Sequence, residues 1–343
     1  MARAAYYERN RVIRVGKADV QPPGPGEVQI QVAYAGICGT DLHIYHGKMD
    51  WRVAPSQIMG HEASGVVSAV GEGVESVREG QRVTVMPLKP CGTCPACRAG
   101  HSHICMNLKF IGIDTPGAFQ SAWVVPEYAV LPLPEEISLK RAALIEPLAV
   151  ACHDVRLGKV TAGESVVVIG GGPIGALIGL VAQHDGARVL VSEINPSRVA
   201  IAHALGLEAV NPLEVDLVAL VEERTGGAGA DVVFEVSASK AGAAVMTQLP
   251  RTRGRIVIVG LASDPPPVDL MRIVWRELRL RGARVYERQD FERAIGLAAS
   301  EDLPLDRLIS AVYPLERIAE GFRLLESGGD VMKILIDIGA QER

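Results

Sequence analysis

The chain has 343 residues, of which 48% are apolar, so it is long enough for two domains that each bury a core. Its formal net charge is −5, and only 4% of its residues are aromatic. A chain without excess basic charge and with few aromatic rings lacks the field and the stacking surfaces that hold nucleic acid or an anionic membrane.

No stretch near the start has the apolar core of a secretory signal, because charged residues interrupt Met1–Val20 throughout. The longest apolar run, Val166–Ala182, contains six glycine or proline residues. Such a run is typical of a strand, a turn and a helix rather than of a membrane span. We therefore expect a soluble, cytoplasmic protein with no membrane partner.

The first 150 residues have the pattern of a β-rich domain. Val28, Ile30 and Val32 alternate with polar residues, as in a half-buried strand, and they follow the turn-forming segment Pro22–Gly26. Further short apolar runs are separated by glycine turns, at Gly65–Val70, Arg82–Met86 and Ala122–Val125. Short strands with glycine turns predict a compact, barrel-like domain.

After residue 150, strand candidates alternate with helix candidates, which predicts a doubly wound parallel sheet. The segment Arg255–Leu261 is a candidate to extend that sheet across subunits. The six predicted strands are Ser165–Ile169, Arg188–Ser192, Glu208–Asn211, Asp231–Val236, Arg255–Gly260 and Leu278–Val285.

The last fifty residues change pattern again. Two amphipathic helices are predicted at Phe291–Ala299 and Leu315–Ser327, and a closing strand at Val331–Ile338. This tail is expected to rejoin the first domain. We therefore predict an α/β protein with a β-rich domain at 1–150, completed by 290–343, and a doubly wound domain at 151–289.

A glycine-rich turn follows the first strand of the second domain. Its sequence, Gly170-Gly171-Gly172-Pro173-Ile174-Gly175, matches G-x-G-x-x-G between a buried strand and a helix. In this context Gly170, Gly172, Pro173, Ile174 and Gly175 are expected to bind a dinucleotide, with the pyrophosphate at the helix N-terminus.

Two charged residues bear on the choice of nucleotide. Glu193 ends the next strand, where an acid binds the adenosine ribose and repels a 2′-phosphate, so NAD is favoured over NADP. Arg198 lies five residues later and leaves NADP open, because an arginine can accommodate that phosphate.

Four of the six cysteines lie within fifteen residues, at Cys91, Cys94, Cys97 and Cys105. Four thiolates form the closed tetrahedral shell of a structural zinc ion. An iron–sulfur cluster is the first alternative, disfavoured by the long last gap and by the lack of proline after Cys105. A zinc module that reads nucleic acid is disfavoured by the acidic chain.

Two further segments carry metal-binding residue types, Cys38–His43 and Gly60–Glu62. Their spacing alone does not join them, because a single cysteine is usually a small buried apolar residue.

The order of five motifs resembles that of the zinc-containing medium-chain dehydrogenases, and within them the polyol, butanediol and threonine dehydrogenase branch. The resemblance spans nearly the whole chain and implies a GroES-like catalytic domain, a Rossmann domain and a homotetramer or dimer. The motifs are Cys38-Gly39-Thr40-Asp41-Leu42-His43, Gly60-His61-Glu62, the four cysteines, Glu146-Pro147 and Gly170–Gly175.

This resemblance implies a catalytic zinc ion held by Cys38 and His61. The third protein ligand is Glu62 or Glu146, since both match positions that approach the metal in relatives. With the structural zinc, two Zn²⁺ ions per subunit are expected. Such an enzyme transfers hydride from a secondary alcohol to NAD.

The resemblance also assigns a proton path and a nicotinamide site. Thr40 takes the proton of the alcohol, which leaves through the cofactor ribose and His43; a surface histidine with no role is the alternative for His43. The nicotinamide is expected to be flanked by Val259, Gly260, Leu261, Arg284 and Val285.

Two departures from the sorbitol dehydrogenases limit the choice of substrate. Those enzymes have a tyrosine directly after the histidine that matches His43, and an Arg-Tyr pair near the sixth strand. This chain has Ile44 and Val285-Tyr286, which favours a vicinal diol such as butanediol, or a short polyol. Alternatives are a threonine 3-dehydrogenase, an NADP-linked ketone reductase, and a non-catalytic relative, which would be expected to lack part of the metal set.

Overall fold

The computed structural model describes residues 2–339, which form two units. The first unit comprises Met1–Glu146, Glu287–Glu301 and Leu305–Arg343, as far as these are described. The second unit comprises Pro147–Tyr286 and the short segment Asp302–Pro304.

The strands, in chain order, are β1 (Arg3–Tyr7), β2 (Ile13–Lys17), β3 (Glu27–Ile37), β4 (Gln57–Ile58), β5 (Glu62–Val70), β6 (Arg82–Val85), β7 (Leu88–Lys89), β8 (Lys109–Phe110), β9 (Ala122–Pro126), β10 (Val130–Pro132), β11 (Ser165–Ile169), β12 (Arg188–Ser192), β13 (Glu208–Val210), β14 (Ala230–Glu235), β15 (Pro250–Ile258), β16 (Arg279–Gly282), β17 (Ile309–Pro314) and β18 (Lys333–Asp337).

The α-helices are α1 (Gly39–Tyr45), α2 (Pro95–Arg98), α3 (Leu139–Ala142), α4 (Ile145–Gly158), α5 (Pro173–His184), α6 (Pro196–Ala204), α7 (Leu217–Arg224), α8 (Lys240–Val245), α9 (Leu270–Trp275), α10 (Arg288–Ala299) and α11 (Ile318–Ser327). Short 3₁₀ helices occupy Ser102–Ile104, Glu127–Ala129, Leu305–Leu308 and Leu315–Arg317.

The first unit is built around the long central strand β3. Antiparallel partners β5 and β18 flank β3 in a sheet of order β10-β6-β5-β3-β18-β17, and β9 pairs with the start of β3. The predicted alternation holds there, since Val28, Ile30 and Val32 are buried and the residues between them are more exposed. The register sets Gly36 opposite Glu62 and Ile37 opposite Ile334, so three strand ends meet near residue 38.

The second unit is a six-stranded parallel sheet of order β13-β12-β11-β14-β15-β16. This is the order 3-2-1-4-5-6 of the doubly wound dinucleotide-binding fold. Its first strand β11 is an unbroken apolar run with Val166, Val167, Val168 and Ile169 all buried, as expected when helices cover both faces. The predicted fold class, an α/β chain with a β-rich and a doubly wound unit, is confirmed.

Two predictions about this sheet are wrong. Arg255–Leu261 does not provide a sheet edge, because β15 lies inside the sheet between β14 and β16. The edge strand is β16, and it ends at Gly282 rather than at Val285. Val285 has a φ of +49°, which a β-branched residue rarely adopts and which is incompatible with a strand.

The tail contains one strand that the sequence analysis did not predict. β17 pairs in parallel with β18, and its residues alternate between half-buried and exposed. Its polar residues Ser310 and Tyr313 weaken the apolar signal in so short a strand. The predicted helix Leu315–Ser327 begins as a 3₁₀ turn and becomes α-helical only from Ile318.

Within residues 2–339, no helix combines the length and the apolar composition that are needed to span a membrane.

Candidate active site

Cys38, His61 and Glu62 form a cluster in the first unit. Cys38 follows β3 directly, and the other two residues lie at the start of β5, so the β3–β5 register brings them together. One ligand atom from each residue lies within 4.8 Å of the other two. A thiolate, an imidazole and a carboxylate are zinc ligands, and three protein ligands leave a position open for substrate. The donor set therefore fits a catalytic zinc ion.

A buried carboxylate lies beside the histidine of this cluster. Asp41 Oδ2 accepts a hydrogen bond from the backbone N–H of Cys38 at 2.9 Å, and Asp41 Oδ1 lies 3.6 Å from His61 Nδ1. Asp41 Oδ1 and His61 Nδ1, which face each other, are both buried without a hydrogen-bond partner. A carboxylate on one ring nitrogen of a histidine directs the other nitrogen to a metal. The sequence analysis assigned Asp41 no role, although its position three residues after Cys38 was visible.

The electrostatics of the cluster suit a cation. Burial lowers the pKa of His61, but the negative charges of Asp41 and Cys38 outweigh burial and hold this pKa well above its ordinary value. Burial in turn raises the pKa of Asp41. Several acidic groups thus share a buried space, which favours binding of a positive ion.

Lys333 is the second residue that the sequence analysis missed. Its ammonium group is buried, donates to Glu62 Oε2 and approaches the backbone oxygen of Ile37 at 3.4 Å. Gly36 makes room for this pair, because a Cβ at that position would lie 2.2 Å from Glu62 Oε2. The ion pair occupies one oxygen of Glu62 and leaves the other available to a metal. No sequence motif signals a contact between residues 271 positions apart.

Glu146 lies in the first turn of α4 and is buried. Burial lowers the pKa of His61 and of Lys333, while nearby negative charges, including that of Glu146, raise both pKa values. Glu146 therefore lies within electrostatic range of the cluster, although the group of mutually close ligand atoms contains Glu62 instead.

The two predicted relay residues lie on α1, directly after Cys38. Thr40 is half-buried and His43 is exposed. Burial lowers the pKa of His43, and the positive charge of Lys48 adds to that effect. A lowered pKa favours the neutral imidazole, in which one ring nitrogen can accept a proton.

The four cysteines of the lobe converge as zinc ligands do. Three Sγ–Sγ distances are 3.5 Å, 3.5 Å and 3.8 Å, close to the edge of about 3.8 Å in a tetrahedron of zinc–sulfur bonds. Backbone N–H groups point at the sulfur atoms, and those of Thr93 and Cys94 lower the pKa of Cys91 to about 5. All six cysteines are free of disulfides. The arrangement fits a closed four-thiolate zinc site.

In the second unit, the glycine turn joins β11 to the N-terminus of α5. Gly170 has a φ of +105°, and a Cβ on Gly175 would lie 1.8 Å from the carbonyl oxygen of Gly170. Only glycine fits this approach. The turn thus leaves backbone N–H groups of the helix N-terminus free to meet a phosphate.

Glu193 and Arg198 flank this turn. Glu193 accepts hydrogen bonds from the backbone N–H groups of Gly171 at 2.7 Å and Asn195 at 2.8 Å. Arg198 reaches toward the turn, since a Cβ on Gly172 would lie 3.8 Å from its Nη1, and its Nε is buried without a hydrogen-bond partner. The Glu193 carboxylate therefore holds the backbone of the glycine turn in place through its hydrogen bond with Gly171.

The ends of β14 and β15 meet beside the same turn. Glu235, a buried acid with no sequence-based role, accepts hydrogen bonds from the backbone N–H groups of Ser237 and Ala238. Its carbonyl oxygen accepts from the N–H groups of Val259 and Gly260. Leu261 and Arg284 are exposed. The predicted nicotinamide residues thus lie at and beyond the carboxyl ends of the sheet strands, where doubly wound folds bind ligands.

Comparison with known proteins agrees with this geometry. Residues 24–135 match the alcohol dehydrogenase GroES-like domain, and residues 173–300 match the zinc-binding dehydrogenase domain. A 2-dehydro-3-deoxy-L-galactonate 5-dehydrogenase from Pseudoalteromonas atlantica is 51% identical over 339 residues, 99% of each chain. An L-threonine 3-dehydrogenase from Pyrococcus abyssi is 38% identical over 91% of each chain. The structure of 2R,3R-butanediol dehydrogenase from Bacillus subtilis superposes with a TM-score of 0.91 at 32% identity, covering 99% of this chain and 100% of the other.

Proposed function

This chain belongs to the zinc-containing medium-chain dehydrogenases, an oxidoreductase family that moves hydride between a secondary alcohol and a nicotinamide cofactor, and we propose that its substrate is a 2-dehydro-3-deoxy sugar acid. The observation that carries the substrate is the 51% identity, over 99% of both chains, to a dehydrogenase of 2-dehydro-3-deoxy-L-galactonate. The 5-hydroxyl of that acid lies between the hydroxyls of C4 and C6. It is therefore part of a vicinal diol, the substrate class that the sequence favours.

The residues of the first unit have distinct tasks in this proposal. Cys38, His61 and Glu62 would hold the catalytic zinc ion, and Asp41 would orient the imidazole of His61 toward it. Bound zinc supplies a Lewis acid that makes the alcohol hydroxyl easier to deprotonate, and bound NAD accepts the hydride. Thr40 receives the hydroxyl proton, and His43 passes it to solvent, since its lowered pKa favours the neutral form.

Glu62 is the third direct ligand in this proposal, and Glu146 is a nearby charge. This choice is supported by the position of Glu62, whose ligand atom lies in the same cluster as those of Cys38 and His61. Its ion pair with Lys333 fixes the carboxylate and leaves one oxygen free. A carboxylate held by a second residue binds a metal with less loss of side-chain entropy.

NAD is the proposed cofactor, with NADP as the alternative. The carboxylate of Glu193 stands at the glycine turn with both oxygens oriented by backbone N–H groups. A negative charge held there repels a 2′-phosphate and accepts hydrogen bonds from ribose hydroxyls. Arg198 supports the alternative, NADP, because its guanidinium approaches the same turn and could bind a 2′-phosphate.

A substrate panel with both cofactors tests the proposal. Formation of reduced cofactor is measured at 340 nm with 2-dehydro-3-deoxy-L-galactonate, 2R,3R-butanediol, sorbitol and L-threonine. We expect the sugar acid with NAD to give the highest kcat/KM, at least about tenfold above the other pairs, since a site that hydrogen-bonds a polar substrate rejects analogues that lack the polar group. A preference for threonine would contradict the proposed substrate, and a preference for NADP would contradict the proposed cofactor.

The second unit carries a surface that supports a homo-oligomer, a tetramer or a dimer. Large apolar side chains lie exposed on α9 and after β15, the elements next to the edge strand β16, and such patches mark contacts between proteins. Light scattering on the purified protein is expected to give a mass that is a multiple of 36.5 kDa; a monomeric mass contradicts the proposal. The exposed residues are Leu261, Leu270, Met271, Val274 and Trp275.

A cytoplasmic location is supported by the six cysteines, which form no disulfide and four of which fit a metal site, because thiols stay reduced in the cytoplasm.

A further inference from the structure

The segment 46–56, which follows α1, is irregular but firmly held. Asp50 accepts a hydrogen bond from the Tyr7 hydroxyl at 2.8 Å, and the side chain of Val53 is buried. Arg52 donates from Nε and Nη2 to the two carboxylate oxygens of Asp114, at 2.7 Å and 2.6 Å. The segment therefore presents Arg52 in one orientation, with little conformational freedom left to lose on binding a ligand.

The partner of Arg52 lies on a segment that packs against the catalytic histidine. Asp114 Oδ2 also accepts from the backbone N–H of Phe110 at 2.6 Å, and the Phe110 ring meets the His61 ring edge-on with centroids 6.4 Å apart. A Cβ on Gly112 would lie 3.2 Å from the Cβ of His61. Arg52 is thus bound to the segment that packs against His61, within the first unit.

One edge of the Arg52 guanidinium remains available. The Nε–Nη2 edge is used by Asp114, while Nη1 makes no hydrogen bond within residues 2–339. The side chain is 22% exposed, so this free edge reaches solvent from a half-buried position. A guanidinium edge with two parallel N–H donors matches the two oxygens of a carboxylate.

A second cation lies on the same segment. Lys48 is exposed, forms no ion pair in the described part of the chain, and its charge acts on the nearby His43. Arg52 differs from Lys48 because Asp114 holds it in one orientation while one guanidinium edge stays open for a second carboxylate. A neutral diol cannot form an ion pair with that guanidinium, whereas an anionic substrate can.

We propose that Arg52, oriented by Asp114, binds the carboxylate of the substrate and so selects sugar acids over neutral diols and polyols. The inference rests on the proposed function, in which the oxidised carbon of a sugar acid is C5 and the carboxylate is C1 at the other end of the chain. Arg52 contacts substrate away from the reacting atoms, so it determines specificity rather than the chemical step.

The test compares two substrates across matched variants. The enzyme, loaded with zinc, is assayed with NAD and either 2-dehydro-3-deoxy-L-galactonate or 2R,3R-butanediol. Arg52→Gln is expected to raise KM for the sugar acid roughly ten- to hundredfold, the usual effect of losing hydrogen bonds to a charged group. KM and kcat for butanediol are expected to stay within about threefold.

Two further variants separate recognition from folding and from general charge. Arg52→Gln leaves the half-buried Asp114 without its partner, so Arg52→Gln/Asp114→Asn supplies a neutral pair that restores the thermal midpoint but not the low KM for the acid. Lys48→Gln removes the same charge without touching the guanidinium, and its KM for the acid is expected to change less than about threefold.

Three outcomes overturn the inference. If Arg52→Gln raises KM for both substrates alike, Arg52 has only a structural role. If Lys48→Gln matches the effect of Arg52→Gln, a general field, and not Arg52, attracts the acid. If the unaltered enzyme oxidises butanediol but no sugar acid, the proposed substrate itself is wrong, and Arg52 has no carboxylate to bind.

Discussion

Replacing Cys38 with alanine is expected to lower kcat/KM by at least about a thousandfold while NAD affinity changes less than about threefold. The loss follows because a thiolate ligand of the catalytic metal is removed, and the metal is worth several kcal/mol to the transition state. NAD binding persists because the glycine turn and Glu193 belong to the second unit. Zinc analysis and NAD titration by fluorescence measure the two effects, and bound zinc should fall from two ions to one per chain.

Cys152→Ala provides the matched control. Cys152 is buried in α4 but belongs to neither group of metal-ligating residues. This variant should keep both zinc ions and nearly full activity. A Cys38→Ala protein that retains two zinc ions and turnover would show that Cys38 is not a ligand, whereas loss of NAD binding as well would indicate misfolding.

Replacing Glu62 with glutamine is expected to weaken zinc binding at the catalytic site by roughly a hundredfold, and to lower activity in proportion, because an amide is a poor substitute for a carboxylate ligand. Glu146→Gln should keep zinc affinity within about threefold and lower kcat only, since our proposal makes Glu146 a nearby charge and not a ligand. Competition with a chromogenic chelator measures the affinity. Equal losses of zinc in both variants would make Glu146 a ligand too, and a loss in Glu146→Gln alone would reverse the assignment.

The ion pair with Lys333 complicates this test, and a double variant resolves the complication. Glu62→Gln leaves a buried ammonium without its counter-charge, which by itself destabilises the first unit. In Glu62→Gln/Lys333→Met that unpaired charge is gone, so the thermal midpoint should recover. Zinc affinity should not recover, because the double variant still lacks the carboxylate ligand of Glu62.

Local patterns were enough to predict the fold class and the family. The glycine turn, the four-cysteine lobe and the alternation in β3 each lie within a short stretch, where backbone geometry or metal chemistry restricts the choice of residue. Gly175 shows this best, since a contact with Gly170 five residues away excludes every other side chain. Such signals are readable without knowledge of the tertiary structure.

The parts that the sequence did not reveal depend on pairing between distant strands. Lys333 is an ordinary lysine until β18 is placed against β3, and Arg52 is an ordinary surface arginine until Asp114 binds it. The error about the sheet edge has the same origin. β15 is more apolar than β16 and therefore looked like a good contact strand, but strand order decides which one lies at the edge.

The discontinuous first unit has a consequence for biosynthesis. β3 and β5 are made early, yet their neighbour β18, with Lys333, leaves the ribosome almost three hundred residues after β3. The second unit is nearly continuous in sequence, so during translation it can fold while the first still lacks its last strands. Until then, Glu62 has no counter-ion and one side of β3 is unpaired. The ion pair between Glu62 and Lys333 is thus completed late in synthesis, and until then one edge of β3 is open to pairing with other chains.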